Sequence, residues 1–213
     1  MMSADMNLPD FRDVREAASR IEHLIERTPV LSFSALDHAL GCSVFLKCDH
    51  LQPTGAFKPR GASNAIAVLR ERGIVDDVAT HSSGNHGAAL AWAARADGRR
   101  AFVVMPRNSV PAKIDKVREF GGEVVLCEPG QLPREQGLNE LVASGQHPVP
   151  PYDHEDIIAG QGTAALELFQ ESPLLDDLVV PLGGGGLLAG CALAATGQDR
   201  PIRVYGAEPA GAA

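Results

Sequence analysis

The chain has 213 residues, 45% hydrophobic and 22% charged, which suits a globular protein of one large or two small domains. Its formal net charge of −8 argues against nucleic acid or an anionic membrane as the main partner, though a small anion needs only a few backbone N–H groups. The four cysteines, at 42, 48, 127 and 191, form no C-x-x-C pair, so free thiols in a reducing compartment are expected rather than disulfides or zinc.

Residues 1–10 hold two acids and no apolar run of leader length, and a soluble cytoplasmic protein is expected. Val14, Ala17, Ala18, Ile21, Leu24 and Ile25 predict a helix over 10–26 by their spacing, and SVFLKC at 43–48 reads as a strand. A helix over 58–72 ends at Gly73, a strand covers 78–81 and a helix 85–96. Strand 101–105, helix 112–120 and strand 123–127 follow, then helices over 134–144 and 162–171. Strand 178–181, helix 184–195 and strand 202–207 complete the order. The stretch 178–198 carries no charge, but Pro181 and the glycines from Gly183 to Gly190 favour strand, turn and buried helix over a membrane span. Strands alternating with helices predict an α/β fold with mostly parallel sheets. HPVPPY at 147–152 is the best internal linker, so a smaller lobe over 75–148 is expected as an insert between 1–74 and 149–213. The chain stops just after its last strand, which suggests that a C-terminal part is missing.

Three segments can carry chemistry. Gly183, Gly184, Gly185, Gly186 and Leu187 join an apolar strand to an apolar helix; bare backbone at a helix start suits a phosphate, and a tight turn needing positive φ is the alternative. Lys58 opens a helix beside Phe57 and Pro59, where the helix dipole disfavours an ammonium. It is either a nucleophile toward aldehydes or a solvated surface lysine. Ser82, Ser83, Gly84, Asn85 and His86 join a strand to a helix, as a carboxylate contact or as helix caps. His81 and His86 are acid–base candidates or packed turn histidines.

In that order these segments resemble the fold type II pyridoxal-phosphate enzymes, in their serine/threonine dehydratase and serine racemase branch. FLKCDHLQPTGAFKPRGASNAI resembles the family's lysine motif, SSGNHGAALAWAA its carboxylate loop and VPLGGGGLLAG its phosphate loop. MPRNSVPAKIDKVREFGGEVVL and IIAGQGTAALEL are similar to its connecting segments. The resemblance implies two-lobed open parallel sheets with flanking helices, and pyridoxal 5′-phosphate as cofactor. Lys58 would hold the cofactor and Phe57 flank it, Asn85 would bond its ring hydroxyl, and Gly183, Gly184, Gly185, Gly186 and Leu187 its phosphate. Ser82, Ser83, Asn85, His86 and Arg134 would line the substrate site. Glu208 and Ala212 match ligands of a divalent cation, Mg2+ or another, and a full-length homodimer is implied.

The activity implied is α,β-elimination from L-serine, L-threonine or a related 3-hydroxy amino acid, giving a 2-oxo acid and ammonia. The alternative is an amino-acid racemase with side elimination, because Ser83 resembles the second acid–base group of racemases and His81 and Arg134 match positions near it. A third reading is a truncated, silent chain that at most binds the cofactor. A β-replacement enzyme of the cysteine-synthase type fits less well, since its loop usually reads Thr-Ser-Gly-Asn-Thr. Ala56 and Ala88 depart from the family's usual Ser and Gln, and the family's later Ser or Cys against the pyridine nitrogen falls beyond Ala213.

Overall fold

The computed structural model describes residues 8–82 and 84–211. Helix α1 (Phe11–Ile21) starts at a reciprocal cap: Asp10 accepts from the N–H groups of Arg12 and Asp13, while Asp13 accepts from Asp10 N–H at 2.7 Å. A short antiparallel pair, β1 (Val30–Leu31) and β2 (Leu46–Lys47), encloses α2 (Ser34–Leu40). A single 3-10 turn at Asp49–Leu51 leads toward α3 (Lys58–Glu71), whose end is set by Gly73 at φ +72. The sequence predicts one strand over 43–48, but only two of those residues pair.

The main sheet is four-stranded and parallel, in the order β5 (Gly122–Cys127), β4 (Ala101–Pro106), β3 (Val78–His81), β6 (His147–Pro148). Helices cover both of its faces because consecutive strand residues point opposite ways. Gly87 of α4 (Asn85–Ala96) sits against Val103, and Gly137 of α6 (Gln131–Ala143) sits against Val104. A Cβ at either glycine would stand within 2.9 Å of the valine, so these contacts require glycine. Helix α5 (Pro111–Glu119) closes the β4–β5 connection and buries Val117 beside Ala88, Val103 and Met105.

After β6 come α7 (Glu155–Glu171), β7 (Asp177–Pro181), α8 (Gly186–Thr196) and β8 (Arg203–Ala207), with β7 and β8 parallel. Val14, Leu168, Phe169, Val180 and Ala194 form the core shared by α1, α7, α8 and β7. The sequence places the start of α7 at 162, seven residues late; Gly160 and Gly162 lie inside the helix. They are contact points: a Cβ on Gly160 would lie 2.6 Å from the Cα of Gly61 in α3. HPVPPY is not a free linker. His147 and Pro148 pair with β3, and Val149, itself buried, donates from its N–H to Ala79 at 2.8 Å. Among the described residues no helix is long and apolar enough to cross a membrane.

Candidate active site

Chain order runs outward from β3 through β4 to β5, then returns to place β6 on the other side of β3. Loops leaving β3 and β6 at their carboxyl ends therefore diverge, and such a switch point opens a crevice in a parallel sheet. Two segments meet there: 84–86, which opens α4 after β3, and 149–152, which follows β6. His86 joins them, since its Nε2 lies 3.2 Å from the Val149 carbonyl oxygen. The carbonyl can only accept, so the proton sits on Nε2 and Nδ1 carries a lone pair. That Nδ1 is buried with no hydrogen-bond partner. Burial first, and then the Lys58 cation, push the His86 pKa down to about 3, so the ring is neutral at physiological pH.

Lys58 reaches the same segment from below. Its Nζ donates to the Pro151 carbonyl oxygen at 2.6 Å and lies 5.1 Å from the centroid of the Phe57 ring. Burial lowers its pKa to about 8, so an appreciable fraction is a free amine near neutrality. The turn that delivers it contains Gly55 at φ +69, and Pro59 occupies the second helical position, where no N–H is needed.

Tyr152 carries the segment on to the glycine loop. A Cβ on Gly184 would stand 2.4 Å from the Tyr152 ring, and one on Gly186 2.8 Å from its carbonyl oxygen. Gly185, at φ +84, caps α8 with no side-chain bond, which leaves first-turn N–H groups available. Gly183 and Gly185 face open space where a Cβ would stand. An open glycine face at a helix start fits a phosphate, and the unpartnered His86 Nδ1 fits a polar ligand, so these residues suit pyridoxal phosphate.

Of the other predicted residues, Ser82 Oγ accepts from Gly84 N–H at 3.3 Å and Asn85 is exposed at the first position of α4. His81 lies close enough to Arg134 of α6 that the guanidinium, after burial, lowers its pKa; Arg134 Nε also donates to Gly130 O at 3.0 Å. Leu187 is half-buried in the first turn of α8. Ser83 and Ala212 lie outside the described residues, and Glu208 is exposed just after β8. Among the described residues no three His, Cys, Asp or Glu side chains form a group that could hold a metal. Sequence reasoning missed Pro151 and Tyr152, hidden in a proline-rich stretch with no strand pattern. It also missed the ionic cluster around Arg60.

A parallel sheet with a lysine, a glycine cradle and a polar loop converging at its switch point defines a cofactor-dependent α/β enzyme class. Residues 21–213 match the family described as "Pyridoxal-phosphate dependent enzyme", and the chain belongs to it, in the fold type II branch with serine racemases and ammonia-lyases. The chain is 42% identical over 204 residues to a serine racemase of Oryza sativa, covering 95% of itself and 60% of that protein. It is 43% identical over 205 residues to an L-threo-3-hydroxyaspartate ammonia-lyase of a Pseudomonas species, covering 96% and 64%. The structure of maize serine racemase superposes with a TM-score of 0.93 at 40% identity, covering 95% of this chain and 62% of that one. The chain thus spans less than two thirds of each of these relatives.

Proposed function

We propose that the whole protein eliminates water from a 3-hydroxy amino acid, yielding a 2-oxo acid and ammonia. The observation carrying this reading is Lys58 Nζ, half-buried beside Phe57, lowered in pKa and joined to Pro151 at the switch point. Pyridoxal phosphate, when bound, supplies the electron sink that acidifies the substrate's Cα–H. Lys58 would hold it, with Asn85 at the ring and Gly183, Gly184, Gly185, Gly186 and Leu187 at the phosphate. Once the substrate amine has displaced it from the cofactor, Lys58 Nζ would take the α-proton as a free amine; the C–O bond would break and the hydroxyl leave, with a proton, as water. Uptake of one water then releases ammonia. Ser82, Asn85 and the N–H groups opening α4 orient the substrate carboxylate, together with Ser83. His86 stays neutral and holds segment 149–152 across the site.

Racemisation is the second reading, favoured by the adjacency of His81 and Arg134 beside the loop that contains Ser83. A homodimer and a divalent cation at Glu208 and Ala212 belong to the same proposal. The test incubates protein and pyridoxal phosphate with L-serine, L-threonine and L-threo-3-hydroxyaspartate in deuterated water. Elimination predicts 2-oxo acid that disappears in Lys58→Ala; full turnover in that variant would refute it. Deuterated D-amino acid outpacing 2-oxo acid would select racemisation instead. Mass spectrometry of the assembly, with and without Mg2+, reads the dimer and the ion.

A further inference from the structure

Lys58 stands two residues from the most completely buried charge in the large-residue core. Arg60 has no solvent exposure, and two carboxylates grip its guanidinium. Nε and Nη2 donate to Asp49 Oδ2 and Oδ1 at 2.6 and 2.9 Å, while Nη1 and Nη2 donate to Glu167 Oε1 and Oε2 at 2.7 and 2.9 Å. Nη1 also donates to Thr163 Oγ1 at 3.1 Å. Lys47 Nζ closes the cluster, 2.7 Å from Glu167 Oε2 and donating to Thr28 O at 2.6 Å; Thr28 Oγ1 in turn donates to Asp49 Oδ1 at 2.7 Å. The charges of Arg60 and Lys47 balance those of Asp49 and Glu167.

Such a cluster is a poor device for stability alone, because apolar side chains of like volume often replace buried ion pairs without loss. What it supplies is direction. A planar guanidinium forked on two edges has one orientation, and it fixes the backbone that carries it. Residues two apart on a helix lie ~200° apart around its axis, so Arg60 is anchored on the side away from Lys58. The first turn of α3 needs such an anchor, since Phe57 gives it no side-chain cap. We propose that Arg60, clamped between Asp49 and Glu167, is a positioning residue that sets where Lys58 Nζ stands in the site. This rests on the reading of Lys58 as the cofactor-holding residue, and reactions of this kind lose ~100-fold for a displacement of ~1 Å.

The test uses the full chain below its unfolding temperature. Competitive labelling with acetic anhydride reads the protonation of Lys58 without cofactor, and borohydride trapping with pyridoxal phosphate reads attachment. In the unaltered protein the labelling midpoint is expected at about 8. In Arg60→Met a loosened, better-solvated Lys58 should titrate about 1 pH higher and be trapped ~10-fold more slowly. Arg60→Lys keeps the charge but not the forks and should shift similarly. Glu167→Gln separates position from charge: loss of an anion alone would lower the midpoint, whereas a released clamp raises it. If Arg60→Met does not fold, the other two variants decide. Leu69→Ala, near the far end of α3, should melt earlier yet keep the midpoint near 8. The proposal falls if the clamp variants keep the parent midpoint and trapping rate, or if Leu69→Ala shifts Lys58 as they do. If no pyridoxyl adduct forms on Lys58 while the midpoints move as expected, the attachment reading fails and the positioning role stands.

Discussion

The Nζ of Lys58 donates to the carbonyl oxygen of Pro151 at 2.6 Å, joining the helix that follows the 3-10 turn to the loop that follows β6. The bond satisfies an amine that burial otherwise penalises, and it places that amine over the switch point of the sheet. Lys58 titrates at about 8 when folded against 10.5 ordinarily, so between those values the unfolded chain binds more protons. Cofactor-free stability should therefore rise with pH from about 8 toward 10.5, by an amount attributable to this group. Lys58→Met should remove that rise in urea titrations, keep the fold at pH 7 and abolish the borohydride-stable pyridoxyl adduct. Turnover should drop by ~100-fold or more, the usual contribution of a positioned proton-transfer group.

The glycine loop divides into two pairs with different expected outcomes. Gly183 meets nothing within 4 Å of where a Cβ would stand, so Gly183→Ala should leave the melting temperature unchanged. If the open face holds a phosphate, the same variant should weaken pyridoxal phosphate binding by ~10-fold or more in equilibrium titrations. Gly184 faces the Tyr152 ring at 2.4 Å, and Gly184→Ala should cost ~1–3 kcal/mol by overpacking. Tyr152→Ala in the same chain should recover part of that loss, a coupling read by a double-mutant cycle.

Where α3 crosses α7, backbone touches backbone. Gly160→Ala would put a Cβ 2.6 Å from Gly61 Cα and 2.7 Å from Arg60 O, neither of which can swing aside. A loss of ~1–3 kcal/mol in urea-induced unfolding is expected. Gly73→Ala should also destabilise, but through its φ of +72 and not through contact, since nothing lies within 4 Å of it.

These glycines explain where the sequence was legible. Periodic apolar residues and terminal signals locate α3, α4, β4 and the start of α1 to within a residue, because each is built from local pattern, whereas α1 ends five residues before the expected 26. The role of Gly160 is not legible locally, because it is set by Gly61, far away in the chain. Pro148, Pro150 and Pro151 mislead: β6 pairs with β3 as Val78 with His147 and Ala79 with Pro148, a long-range register that no alternation of side chains announces. For the candidate site, the motif order singles out Lys58, Ser82, Asn85, His86 and the glycine loop, and the 149–152 segment touches Lys58, His86 and the glycine loop. Neither Tyr152 nor the Asp49–Arg60–Glu167 clamp has a local signature: Tyr152 is placed by the pairing of β6 with β3, and the clamp by the packing of α7 on α3.

His86 gives the remaining expectation. Its folded pKa of about 3 lies below the ordinary 6.5, so as pH falls from 6.5 toward 3 the unfolded chain takes up a proton that the folded one refuses. The folded state should lose stability across that window, by at most a few kcal/mol for a single buried imidazole. Carboxylates titrate in the same range, so the informative quantity is the difference between the parent protein and His86→Asn. The variant should have a shallower dependence of urea midpoint on pH between 3 and 6.5, together with a lower stability at pH 7 from losing the 3.2 Å bond to Val149. Equal slopes in the two proteins would mean that His86 is protonated in the folded state or exposed to water.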